Sequence, residues 1–145
     1  MNEKESLKIK EKLMLTNFQN KDFEKAKDVA LSMTKQFPNY NLSWKILSSI
    51  YFLKGDVNNA LTLSKKALTV DPKDAEAHNN LGLIFHKLSN YNDALISCRK
   101  ALELKPENAE GYFNLTVILG KLNRFDAAVI ESKKAIKLKP NFVEA

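Results

Sequence analysis

The four prolines of this 145-residue chain, Pro38, Pro72, Pro106 and Pro140, stand 34 residues apart, and the residues between them recur in step. One register is leucine throughout (Leu13, Leu47, Leu81, Leu115) and another is alanine throughout (Ala26, Ala60, Ala94, Ala128). A third is aromatic or branched, with Phe23, Val57, Tyr91 and Phe125, and a fourth reads Met33, Ala67, Ala101, Ala135. A fixed period of this length marks stacked units, each too small to bury an interior alone.

Within a unit the apolar spacing is helical. Trp44, Leu47, Ser48 and Tyr51 share one helix face, as do His78, Leu81, Gly82 and Phe85, then Tyr112, Leu115, Thr116 and Leu119. Tyr91, Ala94, Leu95, Cys98, Ala101 and Leu102 form a second stripe further along the unit. No stretch alternates with the period of a strand for long enough to predict a sheet. Each unit is therefore predicted to be two antiparallel helices with a tight turn between them. Gly55-Asp56, Ser89-Asn90 and Asn123-Arg124 supply the turns. Each proline follows a second helix and pushes the residue before it out of helical geometry. Asp74 and Asn108 stand where an N-cap belongs, with Glu76 and Glu110 opposing the dipole in the first turn. Small residues in the alanine register let paired helices approach, and leucine there would overpack at about 1–3 kcal/mol.

These residues resemble the tetratricopeptide repeat, a helix–turn–helix with a Trp/Tyr, Leu, Gly, aromatic series followed by Ala and then Pro. Residues 75–108 match at Leu81, Gly82, Phe85, Ala94, Ala101 and Pro106. Residues 41–74 and 109–142 place Ser48 and Thr116 where glycine is usual, and 7–40 are degenerate at Lys10, Met14 and Asn17. The resemblance implies an all-α fold, a right-handed α-solenoid of about eight helices in a single array with a concave and a convex face. Residues 143–145 would start a further unit. Because Phe142, Val143, Glu144 and Ala145 begin that unit and stop, the chain is expected to be a fragment, or the start, of a longer protein. The last hairpin would then be frayed or covered.

A net charge of +6 raises nucleic acid as a partner. Lys65-Lys66, Arg99-Lys100 and Lys133-Lys134, with Lys105 and Lys139, sit late in second helices, where cations complement the dipole. Neither zinc-ligand spacing nor aromatic-basic interleaving accompanies them, so nucleic acid is not the expected partner. The charged N-terminus lacks the apolar segment of a signal peptide, and no apolar run approaches membrane length. A cytoplasmic location is expected. Cys98 is alone, in a register of small residues (Ala30, Ser64, Cys98, Ser132), and is read as a buried inert thiol. His78 and His86 occupy different registers without a second ligand nearby, which argues against a metal. No phosphate loop, cofactor motif or nucleophile–base pair is evident, so no enzyme activity and no cofactor are expected.

The resemblance implies that first helices line the groove. The residues that the packing registers leave for it are Lys45, Ser49 and Phe52 with Leu42, then Glu76, Asn79, Asn80, Leu83 and His86, then Glu110, Phe113, Asn114 and Val117. Lys87 and Lys121 fall at its edge. Two recognition modes of the family can be weighed. The carboxylate clamp of heat-shock co-chaperones keeps Lys45 and Asn80 here but meets Ser49, Glu110 and Asn114 at its other positions. Losing both late cations removes its charge-assisted pairing. The asparagine ladder of O-linked N-acetylglucosamine transferases reads Lys12, Ile46, Asn80, Asn114, with two rungs present, and units three and four resemble that class generally. A primary amide can pair with a peptide backbone whatever its side chains. The expected function is a protein–protein interaction module binding an extended peptide or a helix. The alternatives are the repeat region of a larger transferase with catalysis beyond Ala145, and a self-assembly scaffold stacking through the C-terminal end.

Overall fold

The computed structural model describes residues 1–141, so the expected start of a fifth unit lies outside the described residues. Eight α-helices follow in order: α1 (Glu3–Gln19), α2 (Phe23–Gln36), α3 (Asn41–Leu53), α4 (Val57–Val70), α5 (Ala75–Lys87), α6 (Tyr91–Leu104), α7 (Ala109–Lys121) and α8 (Phe125–Leu138). No strand occurs among the described residues. The chain divides into two compact units, Met1–Pro72 with α1 to α4 and Lys73–Ala145 with α5 to α8. Each is built from two helical hairpins, and the predicted all-α class of repeated hairpins stands.

The boundaries keep the period because two local devices recur. Before each proline, the residues Phe37, Asp71, Lys105 and Lys139 are extended, with φ between −128° and −144°, and the second helix stops there. At the end of each first helix the chain turns left-handed, with φ of 61° at Lys21, 83° at Gly55, 58° at Ser89 and 58° at Asn123. The next N–H then reaches back to an orphan carbonyl: Asp22 to Asn17, Asp56 to Tyr51, Asn90 to Phe85 and Arg124 to Leu119, each at 2.9 Å. Three of these turns are read from the sequence; the fourth, at Lys21-Asp22, is not among them, although Asn20 stands beside it. Asp22, Asp56 and Asp74 accept from the backbone as N-caps. Asn108 holds the cap position of α7 without a side-chain cap bond, which departs from expectation.

The first hairpin starts earlier than the period requires. Asn2 accepts from the Glu5 N–H at 2.8 Å, and Glu5 accepts from the Asn2 N–H at 3.2 Å. This reciprocal box begins α1 at Glu3, ahead of the residue 7 expected from the repeat.

Met14, Ala26, Ala30, Met33, Ile46, Leu47 and Ile50 form the core of the first unit. Ala94, Leu95, Cys98, Leu102, Leu115, Ile118, Leu119 and Ala128 form that of the second. The leucine register faces the preceding hairpin: Leu47 shares a core with Ala30 and Met33 of α2, and Leu115 with Leu95 and Leu102 of α6. None of the described helices precedes α1, and Leu13 is accordingly 49% exposed, while Met14 beside it is fully buried. The alanine register is buried in all four units. Cys98 is buried as expected, and burial pushes its thiol pKa up to about 12. A Cβ added to Gly82 would lie 2.4 Å from the Cys98 sulfur, so glycine is what lets α5 and α6 close around it. Two of the late lysines lie over rings of their own unit: Lys66 is 5.4 Å from the Trp44 centroid, and Lys134 is 5.6 Å from that of Tyr112.

Candidate functional site

In the second unit the first helices α5 and α7 are tied directly to each other. The Asn114 amide Nδ2 donates to Asn79 Oδ1 at 3.2 Å, and both side chains are buried. The packing registers alone leave both amides for the groove, whereas in the structure the two bond each other. The two sit in adjacent registers of neighbouring repeats, close enough to pair, and a buried amide is held where it finds a partner. Ile46, in the register of Asn114, is likewise buried in the first unit. That register points further inward than its polar members suggest. Of the two asparagines expected as rungs of a ladder, Asn80 is half-buried and Asn114 is engaged inside.

Beside this pair lies a cleft of about 600 Å³. Glu76, Asn79 and Asn80 of α5 line one side and Glu110 of α7 another. Four of the sequence-predicted residues thus converge. The remainder of the wall was not foreseen as part of a site: Lys105, Glu107, Asn108 and Ala109 come from the α6–α7 connection, with Leu138 and Lys139 at the end of α8. The only signal for Lys105 and Lys139 was their recurrence at helix ends, which has a sufficient explanation in the dipole. Glu76, Glu107 and Glu110 share the lining with Lys105, Lys139 and Asn80. Such a wall offers donors and acceptors of both charges, and nothing in it is arranged as a nucleophile with its base.

Further along α5 and α7, Leu83, His86, Phe113 and Val117 are half-buried. The His86 ring lies 5.7 Å from that of Tyr91, tilted by 55°. Burial, then the cations Lys121 and Lys87, hold its imidazole below the usual range, so it is neutral at physiological pH. In the first unit Lys45, Ser49 and Phe52 are half-buried on α3, and Leu42 packs against the core. Lys87 and Lys121 are exposed. Among the described residues no helix is long and apolar enough to cross a membrane.

Comparison with known families and proteins gives a consistent picture. Models of the tetratricopeptide repeat match residues 75–108 and 97–130, and a TPR-repeat model matches 49–89. The chain is 34% identical over 71 residues to the BBSome complex member BBS4 of Bos taurus, and 34% identical over 65 residues to that of Mus musculus. The first match covers 49% of this chain but 14% of that protein; the second covers 45% and 12%. Among solved structures, MamA superposes with a TM-score of 0.80 at 25% identity, over 88% of this chain and 74% of that one. TTC0263, a thermophilic TPR protein of Thermus thermophilus, gives 0.78 at 24%, over 91% and 73%. YrrB, a TPR protein with an unusual peptide-binding site, gives 0.78 at 18%, over 89% and 66%. Identities this low speak to the fold.

Proposed function

Starting from a chain that carries tetratricopeptide repeats over residues 49–130, we propose that it is a protein-interaction module and that the cleft of its second unit holds an extended peptide. The observation that carries this reading is the convergence of Glu76, Asn79, Asn80 and Glu110 on one cleft between the starts of α5 and α7. Sequence position alone selected these four as groove residues. Asn80 is the residue suited to the peptide backbone, since its amide both donates and accepts. Glu76 and Glu110, with Lys105 and Lys139, would sort partners by charge at the cleft's rim. Half-buried Leu83, Phe113 and Val117 offer the apolar contact that an anchoring side chain needs.

Selection from a random peptide display library on the 145-residue chain tests this reading. Selected peptides should bind Asn80→Ala and Glu110→Ala at least about fivefold more weakly than the parent, with helicity unchanged. Peptides whose affinity ignores both substitutions, or a library that yields none, would remove the proposal. Asn114→Ala is the wrong probe, because it strands the Asn79 carbonyl inside at about 1–3 kcal/mol of stability.

A further inference from the structure

We propose that the chain associates head to tail with a second copy of itself, the exposed apolar stripe of α8 on one copy seating the exposed face of α1 on the next. This surface is separate from the peptide cleft. The chain itself shows on α6 what such a stripe is for. On α6, Tyr91, Leu95, Cys98 and Leu102 lie against Leu115, Ile118 and Leu119 of α7 in one core. One period later α8 carries Phe125, Val129, Ser132 and Ile136 at the same positions. Leu95 is 6% exposed where Val129 is 51%, and Leu102 is 8% exposed where Ile136 is 46%. Phe125 is 63% exposed.

The complementary face is at the other end of the sequence. Ser43 and Leu47 of α3, buried in the first unit, correspond to Ile9 and Leu13 of α1, which are 56% and 49% exposed. Among the described residues, apolar side chains thus remain exposed on a second-helix face of one unit and on a first-helix face of the other. These two kinds of face meet within the chain at the contacts of α2 with α3 and of α6 with α7. A second copy brings a face of the other kind to each, in a register already used.

The packing also sets the strength. At the α6–α7 contact, the register of Ile9 is held by Gly111, where an added Cβ would lie 2.8 Å from the Leu102 side chain. In the proposed contact Ile9 meets Ile136, two branched residues in place of a glycine and a leucine. The helices stand further apart there, and association is weak and concentration-dependent. Because the two faces differ, each association leaves one of each kind open, and growth does not end at a dimer.

Sedimentation velocity of the parent chain from about 1 µM to about 500 µM reads this directly. The mass should rise with concentration and pass beyond dimer. Leu13→Glu and Val129→Glu each place a charge on one face, and each alone should weaken association at least about tenfold. Both side chains are exposed, so far-UV circular dichroism should match the parent. An equimolar mixture of the two variants should form a dimer and stop there, since each keeps the face that the other has lost. A parent that is monomeric throughout would overturn the proposal. So would a mixture that stays monomeric, or association that Val129→Glu abolishes and Leu13→Glu leaves intact, which would place another occupant on α8.

Discussion

The first and third hairpins fill the same space with opposite choices. In α1 the register shared by Met14, Ser48, Gly82 and Thr116 holds a methionine, fully buried, and the facing register of α2 holds Ala30. In α5 that register holds Gly82, and α6 answers with Cys98, whose sulfur occupies the volume a Cβ would take. The period preserves the fit between two helices, and either one can supply the bulk. A repeat that is degenerate residue by residue is therefore sound as a pair. The second unit additionally joins its first helices by an amide pair, and it is there that the candidate cleft forms.

Emptying the pair from its bulky side should have the largest effect. Met14→Ala is expected to cost about 2–5 kcal/mol, read by urea denaturation. Leu115→Ala should fall in the same range, whereas Leu13→Ala, at the exposed member of its register, should stay within about 0.5 kcal/mol. Equal costs for the two leucines would show that the registers of the two units do not differ as described. Overfilling comes next. Gly82→Ala should cost about 1–3 kcal/mol, and Cys98→Ala in the same chain should recover much of it, giving a double-mutant coupling that independent sites lack.

The thiol offers a pH test of the same pair. Its pKa lies near 12 in the folded chain against an ordinary 9.0, so between those values the unfolded chain gives up a proton that the folded one keeps. The contribution of Cys98 is complete below pH 9 and declines as pH climbs toward 12. The decline in stability over this window should be shallower in Cys98→Ala. The smallest effect concerns the turns. Ser89 carries the left-handed φ that Gly55 adopts without a Cβ penalty, and Ser89→Gly should stabilise by about 0.5–1 kcal/mol in thermal unfolding.

Much of the architecture was legible because its causes are local. The prolines end second helices through the residue before them, and the leucine and alanine registers name the buried faces. Glu76, Asn79, Asn80 and Glu110, expected at the groove as positions that packing leaves over, line one cleft. What was missed depended on neighbours. Leu13 and Leu47 are identical in sequence terms and differ in burial because only Leu47 has α2 in front of it. Asn79 and Asn114 look like solvent-facing amides until the helices that carry them lie side by side. Lys21 gives no sign of a turn, and the Asn2–Glu5 box hides in a run of charge.

By itself the sequence determined the repeated hairpin, where second helices stop and the stripes they bury, since period, proline and turn residues act over a few bonds. Tertiary structure decided which member of a register is covered, which amide is engaged and where side chains from separate helices meet around a cleft. Those outcomes turn on distances between segments far apart in the chain, and a residue's burial depends on whether a neighbour is there to bury it.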